Sequence, residues 1–440
     1  MADIRDLGRT RSAAAGLAAL ASAAGACGLP GTTSQAAQGA GPAAPARAGT
    51  TERVSVGVGG AQANGVSQAP SLSADGRYVA FDSLATNLVG GDTNGASDVF
   101  VRDRATGKIE RVSVGPGGTQ ANGDSGLGRI SADGRFVVFA SNAPNLVPDD
   151  ANGLGDVFVR DRQLGTTERV SLRPDGREFD SFTMAAAISA DGRAVAFSAE
   201  GQIFVRDRGA GTTTLASVAD DGTPANDGCL QPAISADGRY VGFASFATNL
   251  APGAGGNFAG VFVRDRRAGT TTLASVGLHG APADSASWWP SLSADGRHIA
   301  FASLARNLVA GDTNNRADVF VRDLPAGATR RVSVRTGGGQ VGAESNFPAI
   351  SADGRAVAFT SKAARLVPGD TNRQPDVFVR DVAAGTTERV SVSSGGAQAD
   401  APSSFPAISA DGRVVGFSSA ATGLVPGDTN GTEDAFVRVR

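Results

Sequence analysis

Five loops of the chain carry the same three oxygen-bearing side chains at the same spacing. They are Asp92, Asn94 and Asp98; Asp150, Asn152 and Asp156; Asp312, Asn314 and Asp318; Asp370, Asn372 and Asp376; and Asp428, Asn430 and Asp434. Asp, Asn and Asp at relative positions 1, 3 and 7 match the opening of an oxygen-ligand Ca2+ loop. A hard cation there collects about six to eight oxygens, and backbone carbonyls or water complete the shell. Two carboxylates per loop fit the weak affinity of extracellular Ca2+ modules. The other reading of the same residues is an Asx turn, with Asn-Gly supplying a positive φ. Asn315 and Arg373 stand where the other loops have Gly, and Arg373 is awkward beside a cation. A further loop of the same length has Ala254, Gly256 and Gly260 at the three places, so the residues are lost as a set.

The second group is aromatic. Trp289, Phe347 and Phe405 occupy one position in three successive repeats, four residues before a Ser-Ala-Asp-Gly-Arg motif, and Trp288 adds a fourth ring. An aromatic arc near a central opening could stack on sugars or apolar groups, or could pack one repeat on the next.

Other reactive chemistry is scarce. His279 and His298 are the only histidines, and Tyr78 and Tyr240 the only tyrosines. No G-x-S-x-G elbow, zinc spacing or phosphate loop is present. A net charge of −3 gives no basic field for nucleic acid. No stretch reaches the roughly 20 apolar residues of a membrane helix. Cys27 and Cys229 imply no disulfide framework, and Cys229 reads as a small hydrophobe in a loop. The repeated Arg102-Asp103 dipeptide reads as a source of inter-strand ion pairs.

The elements that position these residues come from a repeat. Ser-Ala-Asp-Gly-Arg begins at Ser73, Ser131, Ser189, Ser235, Ser293, Ser351 and Ser409, at steps of 58, 58, 46, 58, 58 and 58 residues. In the first unit, Pro70–Ser73, Tyr78–Phe81, Asp98–Asp103 and Glu110–Val114 read as four strands, here A to D, and nothing has helical period. The two middle runs are nearly all apolar, as in a sheet covered on both faces, while strand D alternates charge like an outer edge. Four-stranded sheets repeated seven times describe the blades of a propeller, with a linear solenoid as the rival. The chain stops on strand C of the seventh unit, and the missing strand D stands at the start, as Gly49–Val56. That offset predicts a seven-bladed β-propeller of four-stranded antiparallel blades, with the N-terminal strand completing the last blade.

The unit A-I-S-A-D-G-R-x-V-A-F-x-S followed by x-V-F-V-R-D resembles the TolB-type, WD-repeat-like bacterial propeller repeat over about residues 47–440. The resemblance implies a propeller fold, often extracytoplasmic. Ala stands where that family usually has Pro, the count is seven rather than six, and no separate N-terminal domain fits. A role in the Tol system is therefore not carried over.

Residues 1–27 resemble a bacterial export signal, with Arg5, Arg9 and Arg11 before an Ala-rich run. Ala24-Gly25-Ala26-Cys27 looks like a lipobox that would place a lipid on Cys27, although Ala24 stands where Leu is usual. Residues 28–46 read as a flexible tether and 47–440 as the propeller. Together these features predict an exported protein, secreted or lipid-anchored, that catalyses nothing. It would hold a protein or an envelope glycan at the B–C and D–A loop face, with Ca2+ as a stabiliser and the membrane reached only through Cys27. The alternatives are a propeller hydrolase or lyase acting on polysaccharide, and a purely structural envelope protein.

Overall fold

Each Ser-Ala-Asp-Gly-Arg motif is a turn that wires itself. In the first copy, Ser73 Oγ donates to Asp75 Oδ1 at 2.6 Å, and the same oxygen accepts the Arg77 amide at 2.9 Å. The Tyr78 amide donates to Ser73 Oγ at 2.9 Å, and Gly76 takes a φ of 68°, which favours glycine. The turn joins strand A (Ser67–Leu72) to strand B (Tyr78–Ser83), and strands C (Asp98–Asp103) and D (Ile109–Arg111) follow in antiparallel order. Strand A starts earlier and strand D ends earlier than the sequence pattern suggests.

The computed structural model describes residues 49–254 and 258–440. It holds seven four-stranded antiparallel sheets, and the strand A of each touches the strands A of both neighbours in an unbroken cycle. That cycle makes strand A the inner wall around a central channel. Thr51–Arg53 pairs with Asp434–Val439 as the outermost strand of the seventh blade, in the register Thr51 to Arg438. The expected closed seven-bladed β-propeller is therefore present. The leader, the tether before residue 49 and Cys27 lie outside the described residues.

A buried Phe pair on strands B and C fills the middle of every blade, as Phe81 and Phe100 do with ring centroids 6.0 Å apart. Burying such rings supplies much of the stabilisation, at roughly 25 cal/mol per Å² of apolar surface. Blades also lock at the turns. The Ala74 amide donates to the Ala132 carbonyl at 2.9 Å, and the same bond recurs from unit to unit until the Ala410 amide donates to Ala74. Seven such bonds close a belt at the A–B turns. Proline has no amide hydrogen, so the alanine that departs from the TolB-type pattern is what makes this belt possible.

Two smaller expectations are corrected. Of the Arg102-Asp103 dipeptide only the acid forms an ion pair, Asp103 with Arg77 of the turn at 2.8 Å, whereas Arg102 donates to the Val56 carbonyl. Cys229 opens strand A of the fourth blade (Cys229–Ile234) rather than lying in a loop. It is fully buried, its Sγ is 3.2 Å from Ser245 Oγ, and burial pushes the thiol up to about 11.

Candidate functional site

The D–A and B–C loops meet on the face opposite the alanine belt, where Asn87 Nδ2 donates to the Gln62 carbonyl and Gln120 Nε2 to Asp92 Oδ1. The Asp-x-Asn sets lie in this layer. In the fifth blade, Asn314 Nδ2 donates to Asp318 Oδ2 at 2.9 Å, and Gln340 Nε2 donates to Asp312 Oδ1 at 2.9 Å. Between the two carboxylates sits Arg331 of strand D, 3.2 Å from Asp312 and 3.4 Å from Asp318. Arg111 holds the same place beside Asp92 and Asp98, Arg389 beside Asp370 and Asp376, and Arg53 beside Asp428 and Asp434. In the second blade Arg169 lies 3.7 Å from Asp150 and 3.6 Å from Asp156, with Glu178 at 2.6 Å; Asn152 donates to the Phe179 carbonyl. Each set is thus a pocket for positive charge that already contains a guanidinium. Burial raises Asp98, Asp318, Asp376 and Asp434, and takes Asp156 and Asp428 up to about 6.

Sequence reasoning missed the arginine and the glutamine, and a signal for both exists. The third and fourth units, which lack the Asp set, also carry Leu215 and Leu273 in place of Arg, and Pro224 and Pro282 in place of Gln or Glu. In the fourth, a Cβ on Gly260 would stand 2.9 Å from Leu273 Cδ1, so an apolar side chain fills the space that the ion cluster occupies elsewhere.

The aromatic residues stand deeper, on the inner ring. Strand A of each blade has a register shift, and one residue within it takes a left-handed φ of 50–58°: Ala69, Leu127, Ala185, Gln231, Trp289, Phe347 and Phe405. Trp289 lies 5.1 Å from Phe347, and Phe347 4.9 Å from Phe405, ring centroid to centroid. The expected arc is one continuous half-buried aromatic wall across blades 5 to 7. Trp288, next to it on the same strand, is also half-buried.

Three ionisable residues of blades 1, 2 and 7, Asp82, Arg129 and Glu433, have no counterpart in other units. Asp82 takes the position of Ala140, Ser198, Ala244, Ala302, Thr360 and Ser418. Its carboxylate reaches the next blade and accepts the Leu127 amide at 2.7 Å and the Gly128 amide at 3.2 Å. Burial pushes it up to about 6, against those two bonds and the nearby charge of Arg129. Arg129 is an exposed residue of strand A in the second blade, and its Nη1 donates to the Gly128 carbonyl at 2.9 Å. At the seam of blades 7 and 1, the Glu433 carbonyl accepts the Ser67 amide, and burial beside Asp434 pushes the Glu433 carboxyl up to about 7. An acid near neutrality, an arginine and an aromatic wall around one channel can together bind an acidic sugar and move a proton.

No protein-family model and no curated protein sequence matches the chain. Solved propellers share its fold. An oligogalacturonate lyase in complex with manganese overlays with a TM-score of 0.54 at 12% identity, covering 88% of this chain and 92% of that one. An oligogalacturonate lyase from Vibrio parahaemolyticus gives 0.52 at 11% identity, covering 88% and 92%. A putative TolB from Agrobacterium tumefaciens gives 0.38 at 17% identity, covering 62% and 94%.

These findings correct the expectation of a binding propeller without catalysis. That reading rested on repeated residues being scaffold and on the scarcity of singular ones. The propellers that overlay on 88% of the chain include lyases, and the singular Asp82 lies within electrostatic reach of the singular Arg129.

Proposed function

We propose that the chain is a propeller lyase acting on acidic polysaccharide or its oligomers inside the central channel. The observation that carries the proposal is the singular Asp82 and Arg129 at the joint of blades 1 and 2, in a ring whose blades 5 to 7 carry the Trp289–Phe347–Phe405 wall. The overlay of 88% of the chain on two oligogalacturonate lyases supports the same substrate class.

Arg129 binds the carboxylate of a uronate unit, and its fork geometry suits two parallel hydrogen bonds. Neutralising that carboxylate acidifies the adjacent C–H. Asp82 takes this proton; two of its lone-pair sites are occupied by amides and the others remain. A carboxyl near 6 is ionised at neutral pH yet basic enough to serve. The electrons of the broken C–H bond form a carbon–carbon double bond as the glycosidic C–O bond breaks, and the departing oxygen is protonated by water. The aromatic wall stacks on sugar faces and orients the chain.

Manganese, present in one overlaid lyase, finds no matching ligand set. Among the described residues no three His, Cys, Asp or Glu side chains cluster to hold a metal ion. The Ca2+ reading of the Asp-x-Asn loops concerns stability rather than this reaction. The export-like segment at residues 1–27 would deliver the enzyme to where polysaccharide is.

Incubating the protein with de-esterified polygalacturonate and with a neutral glucan tests the proposal. Ultraviolet absorbance of the unsaturated product should rise with the acidic polymer only. Asp82→Asn and Arg129→Ala should each cost about a hundredfold or more. Absence of unsaturated product from every polyuronate overturns it.

A further inference from the structure

The loop face is unevenly charged. Apart from Arg173 and Arg177, every Lys and Arg of the D–A and B–C loops falls in three consecutive loops, residues 304–317, 334–344 and 362–375. Arg173 and Arg177 are neutralised by Asp180, Glu200 and Asp175. In the basic sector, Arg316, Arg335, Arg365 and Arg373 are exposed, and none of their guanidinium groups has an acid partner among the described residues. Unpaired arginines gathered on one side of an otherwise neutral or acidic face require an explanation, because the chain as a whole is acidic.

Arg335 and Arg365 flank a cleft of about 370 Å³ floored by Val341, Ala343 and Ala363. The volume falls in the usual range for small-ligand sites. Apolar floor and cationic rim match a sugar ring, which offers C–H faces and, in a uronate, a carboxylate. The same blades, the fifth and sixth, carry Trp289 and Phe347 on the inner ring. We infer that this sector is a docking track for a carboxylated oligosaccharide, which lies across Arg335 and Arg365 and passes inward to the aromatic wall. The inference rests on the lyase reading for its substrate class and adds a binding site separate from Asp82 and Arg129.

The test uses defined galacturonate oligomers, a neutral oligomer of equal length and duplex DNA as probes of the full chain. The variants are Arg335→Gln, Arg365→Gln and the two together, which alter exposed side chains and should leave folding unchanged. The double variant should bind the acidic oligomers roughly tenfold more weakly, with a shallower dependence on salt, and should raise KM while leaving kcat unchanged. Neutral oligomers should not respond. Unchanged affinity in the double variant overturns the track, and so does duplex DNA binding as tightly as the acidic oligomer. Binding is read without turnover, so a wild-type protein that binds in this manner but makes no unsaturated product sinks the lyase reading and leaves the track standing. Turnover indifferent to both arginines does the reverse.

Discussion

The Ala410 amide donates to the Ala74 carbonyl at 2.9 Å, so residues 336 positions apart in sequence are consecutive links of one belt. The belt ties every A–B turn to the next and makes the closure of the ring a matter of backbone chemistry as well as of strand pairing.

Ala410→Pro deletes one amide of the belt. It should lower stability by about 1–3 kcal/mol, the range of a lost backbone hydrogen bond with its carbonyl left unpaired. Ala410→Ser retains the amide and should be nearly neutral. Urea unfolding midpoints compare the two, and equal midpoints would show that the belt contributes nothing.

Removing residues 49–56 takes away the outer strand of the seventh blade together with Arg53, the partner of Asp428 and Asp434. The melting temperature should fall steeply. A truncated chain melting with the full-length protein would contradict closure by the N-terminal strand.

The ion clusters predict a paired result. Arg331→Leu leaves Asp312 and Asp318 without their cation and should cost about 3–5 kcal/mol. Copying the fourth blade, with Asp312→Ala, Asp318→Gly, Arg331→Leu and Gln340→Pro together, should recover much of that loss. Millimolar Ca2+ should leave the wild-type melting temperature unmoved, since each pocket holds a guanidinium, but should raise that of Arg331→Leu. A Ca2+-dependent rise in the wild type would show that the cation displaces or supplements the arginine.

Stability should also be higher in mild acid than at neutrality. An acid with a raised folded pKa contributes stability below its unfolded pKa and loses it as pH rises through the folded value. Asp82, Asp156 and Asp428 near 6 and Glu433 near 7 all act in this sense. The melting temperature should therefore decline between about pH 4 and pH 7, from the unfolded to the folded pKa values. Asp103 and Asp265, held down to about 2 by Arg77 and Arg239, act oppositely and withdraw stability as pH falls below about 4. Glu433→Gln should flatten the upper part of the decline. A flat profile between about pH 4 and pH 7 would mean that these burials do not persist in solution.

The repeat made the blade count, the strand order and the N-terminal closure readable, because each rests on a pattern stated seven times. The aromatic arc was readable for the same reason, as a column of the repeat. Asp82 and Arg129 were not, since their interest lies in being exceptions and periodic reading averages exceptions away. The arginine of the ion clusters was visible only as a swap of Arg for Leu in strand D that coincides with loss of the Asp set. The left-handed residue in each strand A left no trace in composition, because Ala, Leu, Gln, Trp and Phe all occupy it.

That last indifference has a consequence for how such a protein changes over generations. A left-handed conformation costs a non-glycine residue roughly 1–2 kcal/mol whatever its side chain. Here the surrounding ring imposes it seven times. The inner wall is consequently a set of sockets whose backbone is fixed and whose contents are free. One codon can exchange a ring for a methyl group or an amide without moving a strand. Lineages built on this scaffold can alter what the channel accepts by substitution alone, with no insertion and no change of fold.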